Sequence, residues 1–486
     1  MSGSRLSKYF GDRAFWRVTA RLALPIALQN LLTSSFVLVD TLMVGQLGDV
    51  ALSAVGMAGQ VGWFWQMILF GMCSGMAVLV AQYWGIGDER SIRRVYGIAL
   101  LSALALSVAF ATPALLAPEQ VMRIFNSDPA VVSIGASYLR IAAISYPAVA
   151  LNSVCGILLR SVERVRLPMY VSIFTTAANA FFNYALIFGK FGMPELGVVG
   201  AAIATCISSW LGPILLYLIS AVQRNLLVGS PREMFVLTRA SIAEFYRKAA
   251  PVMLNETMWG LGTLIINVIF ANKGHEEYAA VTILRTFENI AFVFFVGLCN
   301  ASCVMIGKSV GSGKIERATA DARRFSLLVP LLGTLIGSVI IIFREPLVSI
   351  FNMQGNITEK TFSIACSLML VYALELTVRN IPYIQIVGIF RSGGDTTTGT
   401  KFDMIGLWLL SIPCTALAAY LTDLPFVALF ALMYIAEDYV KSFLCIRHFR
   451  SGRWIRPVTD EGREGHRLWL AERERLGIKT KGSKAE

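Results

Sequence analysis

The chain is poor in charged residues and in histidine, and these shortages exclude several classes of protein. Only 15% of its 486 residues are charged, whereas 56% are hydrophobic; soluble domains carry about 25% charged residues. The composition therefore indicates a polytopic membrane protein. All three histidines lie outside the apolar runs, so Ser-His-Asp or Cys-His catalysis and histidine-based metal chemistry have little to work with. We expect no enzymatic activity.

The eight cysteines indicate neither a disulfide framework nor a metal site. They lie within apolar runs or at the inner ends of those runs, and their spacing matches no metal-ligand pattern. Cys299 and Cys303 would share a helix face, but two thiols do not make a site, and small packing residues are the simpler interpretation. We therefore expect no cofactor. The basic start leads directly into a full-length apolar run, so we also expect no cleavable signal peptide.

The apolar runs predict an all-α membrane protein with twelve transmembrane helices. Each run is about as long as a bilayer requires. The predicted spans are 22–44, 55–80, 95–117, 130–159, 168–188, 198–221, 250–271, 279–306, 325–343, 361–390, 402–422 and 425–446.

The distribution of Lys and Arg predicts the orientation. With a cytoplasmic N-terminus, 35 of the 43 Lys and Arg residues fall in inside segments when Lys441, at the inner end of the twelfth span, is counted with them; five fall outside, and three others lie within spans. The positive residues of the cytoplasmic segments account for the net charge of +12, so this charge does not indicate nucleic-acid binding. We expect no nucleic-acid partner. The predicted organisation is a cytoplasmic N-terminus 1–21, an N-lobe 22–221, a cytoplasmic linker 222–249, a C-lobe 250–446 and a basic cytoplasmic tail 447–486. The tail is expected to lie against anionic lipid.

Markers recur at a constant spacing, which indicates an internal repeat. The offset is 226 residues for Pro25 and Pro251, Gly85 and Gly311, Gly87 and Gly313, Glu119 and Glu345, and Phe125-Asn126 and Phe351-Asn352. It becomes 231 between Arg160 and Arg391. Each half holds six spans, an even number, so the halves form parallel repeats with a substrate site expected at their interface. Channels are repeated too, but a two-lobed repeat with buried acids is typical of an alternating-access carrier.

An acid inside the first apolar run is the leading candidate for a functional residue. Asp40 lies in the outer half of that run, and a carboxylate there costs about 2.5–3.5 kcal/mol to insert. Asn179 and Asn183 share one face of the fifth span because they are four residues apart, and the sixth span offers Thr205. Such oxygens suit a small cation such as Na+. Alternatively, the amides merely hydrogen-bond neighbouring helices.

The second half holds its acid at another depth. Glu256 and its neighbour Asn255 follow Pro251 by one turn, where the first half has Asn30 in place of the acid. Asp40 lies outward of the midplane and Glu256 inward of it. Two unlike charge sites suggest a division of labour between coupling ion and substrate.

Charged residues inside the later spans predict ion pairs. Glu375 and Arg379 are four residues apart on the tenth span, which favours a pair between them. The alternative is that Arg379 pairs with Glu256 as a tethered cation. Arg285 and Glu288 predict another pair on the eighth span. On the twelfth span, beside Asp438, Glu437 is expected to pair with Lys441.

Several strings resemble the multidrug and toxic compound extrusion (MATE) family of antiporters, over nearly the whole of residues 20–450. They lie at residues 40–48, 51–56, 82–88, 183–189, 192–197, 251–256 and 389–396. The resemblance implies two six-helix lobes around a central V-shaped cleft, and export of organic, often cationic compounds in exchange for Na+ or H+. It places Asp40, Asn179, Asn183 and Thr205 on the N-lobe cation site and Glu256 on the C-lobe acid.

Two positions depart from the family pattern. Some members carry Asp where this chain has Asn183, so a relay between paired carboxylates is in doubt. Some also carry an acid in the tenth helix, at about the position of Asn380, so a two-acid Na+ site in the C-lobe is in doubt.

The sequence therefore predicts a multi-pass secondary antiporter of the plasma (inner) membrane, with both termini cytoplasmic, that exports small organic, cationic compounds. The coupling ion, Na+ or H+, is expected at Asp40, with no other metal site. The alternative is a flippase for lipid or lipid-linked oligosaccharide. A membrane enzyme and a passive channel fit less well. The bilayer is the expected partner besides substrate and ion, and a monomer is the working expectation.

Overall fold

The computed structural model describes residues 11–229, 231–352 and 358–476, and this part of the chain is almost entirely helical. We number the twelve long helices in chain order. The first half contains α1 Arg13–Gly45, α2 Asp49–Ile86, α3 Glu89–Leu116, α4 Pro129–Ser161, α5 Arg166–Ile187 and α6 Gly197–Val222. The second half contains α7 Arg239–Ala271, α8 His275–Gly311, α9 Ile315–Ser349, α10 Glu359–Gly393, α11 Thr396–Leu421 and α12, residues 426–451.

These helices confirm the predicted fold class. Each of the twelve predicted spans falls on one of them. Ten of the helices in the described residues are long and apolar enough to cross a membrane by length and composition. The other two are α5, which carries Asn179 and Asn183, and α12, which carries Glu437, Asp438 and Lys441. The two helices outside the ten thus hold several of the predicted functional or charged residues.

Several helices change their winding where proline removes a backbone donor. In α4 a short 3₁₀ turn, Ala143–Ser145, precedes Pro147, and in α10 the π-helical segment Ile384–Phe390 follows Pro382. Proline cannot donate the intrahelical hydrogen bond and crowds the preceding turn, so the ladder shifts register there. Two further π-helical segments are Ile405–Ser411 in α11 and Ile435–Tyr439 in α12.

The backbone reproduces the repeat that the sequence predicts. Pro25 and Pro251 each lie inside a 33-residue helix that begins its half. Residues with left-handed φ angles recur at the same offsets, 226 or 231: Gly48 at 104° and Gly274 at 152°, Gly87 at 72° and Gly313 at 71°, and Glu163 at 64° and Gly394 at 94°. Sharp turns at matching positions are what a duplicated six-helix unit requires.

The chain forms two compact units. The N unit comprises Leu24–Val80 and Gly87–Met253, and the C unit comprises the residues up to Ala23, Ala81–Ile86 and those from Leu254 onward. The lobe and linker boundaries inferred from the sequence stay a prediction.

The tail after α12 packs more closely than the sequence analysis anticipated. It forms a further helix, α13, at Asp460–Arg475, and Trp454 before it is only 1% exposed. The Thr459 hydroxyl caps α13 and donates to the Gly311 carbonyl at 2.6 Å. Gln82 donates to the Ser392 carbonyl at 3.0 Å and accepts from the Val458 backbone amide at 2.8 Å. The tail is therefore part of the C unit and not only a segment lying on lipid.

A buried acid secures the turn between α10 and α11. Asp395 caps α11 and contacts the His448 ring nitrogen at 2.8 Å and the Arg456 guanidinium at 3.2 Å. Burial raises the pKa of Asp395, but the hydrogen bond with His448, the charge of Arg456 and the bonds from Thr398 outweigh it and hold the pKa below its ordinary value. Asp395 therefore stays ionised and ties the tail to this turn.

Candidate functional site

Asp40 on α1 and Asn183 on α5 form the centre of the N-unit site. The Asn183 Nδ2 donates to Asp40 Oδ1 at 2.5 Å. Asn183 is fully buried, and Asp40 is half-buried. An ionised carboxylate can only accept hydrogen bonds, so the amide must present its NH₂ group to Asp40. This assignment turns the Asn183 Oδ1 away from the carboxylate.

The hydrogen bonds continue from α5 to α6. Asn183 Nδ2 also donates to Asn179 Oδ1 at 3.2 Å, and Asn179 Nδ2 donates to the Ser208 Oγ at 3.0 Å. Ser208 in turn donates to the Ala204 carbonyl at 2.8 Å. Ser208 was not among the residues predicted from the sequence. It lies three residues after Thr205, so the two side chains share one helix face, and this spacing could have identified it.

Thr205 lies beside this chain of hydrogen bonds and not directly on Asp40. The Tyr138 hydroxyl on α4 lies near the Thr205 side chain and close enough to Asp40 to interact with its charge. Tyr138 also packs on the apolar group of Val44, Ile187 and Ala201. The structure thus joins Asp40, Asn183 and Asn179 directly and adds Ser208 and Tyr138.

One buried oxygen of this site has no donor. In the described part of the chain the Asn183 Oδ1 makes no hydrogen bond, although a buried acceptor without a partner costs about 1–3 kcal/mol. The Asp40 carboxylate can receive a small monovalent cation or a proton, and the Asn183 Oδ1 can join it as a ligand only after the amide rotates. Among the described residues, no group of three His, Cys, Asp or Glu side chains could hold a metal ion.

The C-unit acid Glu256 pairs with Arg391. The Arg391 guanidinium lies 2.7 Å from Glu256 Oε1, and the arginine is 3% exposed. The hypothesis that Arg379 pairs with Glu256 is therefore wrong. The predicted tenth span ends at residue 390 and leaves Arg391 in the cytoplasmic segment that follows. In the structure, α10 continues through its π-helical segment as far as Gly393 and brings Arg391 to Glu256.

Asn255, next to Glu256, contacts an acid that the sequence analysis missed. Its Nδ2 donates to Asp403 Oδ2 at 3.0 Å, and Asp403 Oδ1 lies 3.3 Å from the Lys441 Nζ. Lys441 lies 2.7 Å from Glu437 Oε1, so the pair predicted on α12 is confirmed. Asp403 could have been noticed as an acid just inside the apolar run 402–422.

Two other predicted pairs are wrong. Arg379 lies 3.0 Å from Glu288 and stacks on the Tyr434 ring, 4.7 Å from its centroid. Glu375 instead accepts from the Tyr439 hydroxyl at 3.4 Å. Arg285, expected to pair with Glu288, donates to Asn267 Oδ1. Spacing along one helix identified possible partners, but each of these charged side chains contacts a residue on a neighbouring helix instead.

Asn380 is a structural residue in this geometry. It is 3% exposed, and its Nδ2 donates to the Leu376 carbonyl of its own helix at 2.6 Å. The ideal Cβ position of Gly333 lies 3.1 Å from the Asn380 Nδ2, so the side chain fills the contact between α9 and α10. The structure does not bring Asn380 to Glu256.

Sequence comparison identifies relatives along most of the chain. The family model MatE matches residues 25–185 and 251–417, once in each half. The "Probable multidrug resistance protein NorM" of Thermotoga maritima is 27% identical over 442 residues, covering 89% of this chain and 92% of the relative. A protein of the same name from Rhizobium meliloti is 28% identical over 422 residues, covering 82% and 85%.

Solved structures share the fold. A MOP superfamily transporter from Pyrococcus furiosus has a TM-score of 0.81 at 18% identity, covering 93% of this chain and 98% of the other. A structure described as MATE in the bent conformation also reaches 0.81, at 16% identity, covering 99% and 100%. None of these matches supports the flippase alternative. Because one family model matches both halves of the twelve-helix repeat, the chain belongs to the MATE family of membrane transporters.

Proposed function

We propose that this transporter exports small organic compounds, cations among them, in exchange for a coupling ion, Na+ or H+, that binds at Asp40. The observation that carries the proposal is the half-buried Asp40 carboxylate inside a membrane helix, held by the neutral amide of Asn183. An ionisable residue in that position points to an ion pathway. The names of the curated relatives, multidrug resistance proteins, support the class of substrate.

Na+ is the ion that the surroundings of Asp40 favour. The Asn183 Oδ1 is buried without a donor. A cation that displaced the hydrogen bond between the Asn183 Nδ2 and Asp40 would gain this oxygen as a ligand once the amide had rotated. Carboxylate and amide oxygens are the ligands of hard cations. A proton would need only the carboxylate, so it remains the second candidate.

The proposed cycle alternates the charge at Asp40. An ion that enters from outside neutralises the carboxylate and competes for the Asn183 hydrogen bond. Helix α1 then repacks near Pro25, where the proline leaves one backbone carbonyl without its helical partner. One elementary charge that moves inward through 100 mV supplies about 2.3 kcal/mol, enough for a concentration ratio of about 50 for a neutral substrate. Exchange for a monovalent cationic substrate moves no net charge, so the concentration gradient of the coupling ion drives that export.

We also propose that the protein acts as a monomer in the plasma membrane, with both termini in the cytoplasm. The distribution of Lys and Arg supports this orientation. Of the 43 such residues, 35 fall in the segments assigned to the inside, and 33 remain there when Arg391 and Lys441, which form buried pairs within α10 and α12, are set aside.

Efflux of a fluorescent organic cation from liposomes that contain the purified protein tests the proposal. Na+ and pH gradients are imposed separately on wild type, Asp40→Asn and Asp128→Asn. Asp128 is an exposed helix cap that accepts from the Ala130 amide at 2.9 Å, and asparagine caps helices about as well as aspartate. Asp128→Asn therefore makes the same chemical change away from the site.

We expect efflux that one gradient drives, that Asp40→Asn abolishes and that Asp128→Asn retains. The effective gradient identifies the ion. Gradient-driven efflux that survives in Asp40→Asn would place coupling elsewhere, and no efflux under either gradient would contradict the export of organic cations.

A further inference from the structure

Four charged side chains meet between α11 and α12, apart from the Asp40 site. We call Asp403, Glu437, Asp438 and Lys441 the α12 cluster. The Lys441 Nζ lies 2.7 Å from Glu437 Oε1, 3.3 Å from Asp403 Oδ1 and 3.8 Å from Asp438 Oδ1. All four side chains are largely buried, and that of Asp438 is 4% exposed. One ammonium group thus serves three carboxylates inside predicted membrane spans.

The surroundings offset only part of the surplus of negative charge. In the described part of the chain, Arg379 lies 3.0 Å from Glu288, Arg391 lies 2.7 Å from Glu256, and Glu375 accepts from Tyr439. The charge of Arg379 also acts on Glu437 and Asp438, but Glu288 shares that charge, and Lys401 on α11 is exposed. Each buried charge in a membrane costs about 2.5–3.5 kcal/mol even on the mildest scales. The cluster therefore requires added positive charge.

A buried acceptor at the edge of the cluster also lacks a donor. Asn255 is 4% exposed, and its Nδ2 is committed to Asp403 Oδ2 at 3.0 Å. Among the described residues its Oδ1, on the same amide, makes no hydrogen bond. An ionised carboxylate offers acceptors only, whereas a protonated one also offers an O–H donor. Protonation of a carboxylate in the cluster would thus provide an O–H donor, which the Asn255 Oδ1 lacks.

The backbone around the cluster allows this close approach. Glu437 and Asp438 lie in the π-helical segment of α12, and Asp403 lies just before that of α11. A Cβ at Gly406 would lie 3.3 Å from the Glu437 Cγ and 3.4 Å from the Lys441 Cδ. A side chain at position 406 would therefore press on Glu437 and Lys441, and these would have to move by a few tenths of an ångström. π-Helical turns occur frequently at functional sites.

We propose that the α12 cluster is a second, exchangeable proton-binding site, separate from Asp40. A proton from water adds to a carboxylate oxygen of the cluster, and the reverse step returns it to water. No other bond changes. The occupant is a proton because Lys441 occupies the centre and repels a metal cation, while a proton needs one oxygen and no coordination shell. The site reaches α7 through Asn255, adjacent to Glu256.

Infrared spectroscopy of the purified full-length protein tests the proposal without substrate or gradient. Protonated carboxyl groups in apolar surroundings give a carbonyl band that separates from those of ionised carboxylates. The band is followed through a pH titration in wild type, Asp40→Asn, Asp438→Asn, Glu437→Gln and the control Asp128→Asn. We expect a titrating band that persists in Asp40→Asn and Asp128→Asn and loses intensity in Asp438→Asn or Glu437→Gln.

Lys441→Gln gives an independent readout on the same site. Removal of a cation within 4 Å of three acids should raise the proton affinity of the cluster at least about tenfold, so the band should appear at correspondingly higher pH. The proposal is overturned if no titrating band remains in Asp40→Asn, or if Lys441→Gln leaves the midpoint unchanged. It is also overturned if Na+ at constant pH abolishes the band in Asp40→Asn, because the cluster would then bind Na+. These infrared measurements need neither substrate nor coupling at Asp40, so a negative result in the efflux experiment would not change their interpretation.

Discussion

Asp40 and Glu256 are half-buried acids in the two repeated halves, yet they have different partners. Asp40 accepts from the neutral amide of Asn183, whereas Glu256 lies 2.7 Å from the Arg391 guanidinium. A carboxylate held by an amide keeps its full charge available to an incoming ion. A carboxylate paired with arginine is already neutralised within the protein. At the scale of single residues, the N unit therefore holds the acid better suited to bind an ion, and the C unit holds a structural pair beside the α12 cluster.

A double-mutant cycle on Glu256 and Arg391 measures that structural pair. Removal of one partner leaves the other charge buried, so Glu256→Gln or Arg391→Gln alone should destabilise the protein by about 3–5 kcal/mol. The double variant should lose less than the sum. The measurement is unfolding in detergent, followed by helical circular dichroism.

The exposed pair of Arg467 and Glu464 on α13, at 2.6 Å, provides the comparison. The same cycle there should give a coupling of about 0–1 kcal/mol. Equal coupling energies for the two pairs would contradict the structural role of Arg391.

At the scale of elements, the contact between the inner ends of α2 and α8 depends on small residues. A Cβ at Gly311 would lie 2.1 Å from the Gln82 carbonyl oxygen, a backbone atom that has little freedom to move. Gln82 in turn accepts from the Val458 amide. Substitution here would therefore disturb two helix ends and the tail together.

Gly311→Ala should destabilise the protein by about 1–3 kcal/mol or more, because the added methyl group overlaps backbone. Gly59→Ala on α2 is the matched control, since a Cβ there meets nothing within 4 Å. Helix propensity favours alanine over glycine by about 1 kcal/mol, so the control should be neutral or stabilising. Thermal unfolding of both variants in one detergent distinguishes them, and similar losses would contradict the close contact at Gly311.

The packing of α13 should weaken in acid because of His466. Burial lowers the pKa of His466 from its usual value of about 6.5, so packed α13 binds fewer protons than unpacked α13. The packing of α13 is therefore most stable above about pH 6.5, and it weakens as the pH falls below that value. His466 stacks on Trp469 with ring centroids 5.9 Å apart. The rate of proteolysis of the tail as a function of pH measures this effect.

The control is His466→Phe, which keeps a ring against Trp469 but cannot be protonated. It should lose most of the pH dependence between neutral and mildly acidic conditions. An unchanged pH profile in His466→Phe would assign the effect to another group.

At the scale of the whole molecule, the repeat and the charge bias act together. An even number of spans in each half predicts that equivalent loops of the two halves lie on one side of the membrane, and residues with left-handed φ angles recur at equivalent positions of both halves. The bias of Lys and Arg predicts that this side is the cytoplasmic one. The repeat and the charge bias thus predict the same topology.

Accessibility of single cysteines to a membrane-impermeant maleimide tests the orientation. Lys190 and Arg450 are exposed and are assigned to opposite sides of the membrane. In a background without the eight native cysteines, Lys190→Cys should react in intact cells, and Arg450→Cys should react only after permeabilisation. The reverse pattern would invert the topology. Reaction of both in intact cells would contradict the seven spans predicted between the two positions.

The sequence alone determined the twelve helices, the repeat and the pair of Glu437 with Lys441, and it identified Asp40 as a candidate acid. These features are local: a span is a run of apolar residues, an acid stands out within it, and residues four apart on one helix are neighbours. The same reasoning brought Asn179 and Asn183 onto one face, and both join Asp40 in the structure.

Tertiary structure decided which residues meet between helices. Arg391 reached Glu256, Arg379 reached Glu288, Asp403 joined Lys441, and the tail packed around Trp454. In a membrane helix both the lipid-facing and the buried sides are apolar, so hydropathy does not reveal its rotation or its neighbours. The π-helical segments of α10, α11 and α12 shift the register further. The partners of these charged residues depend on how the helices pack against each other, which spacing along the sequence does not reveal.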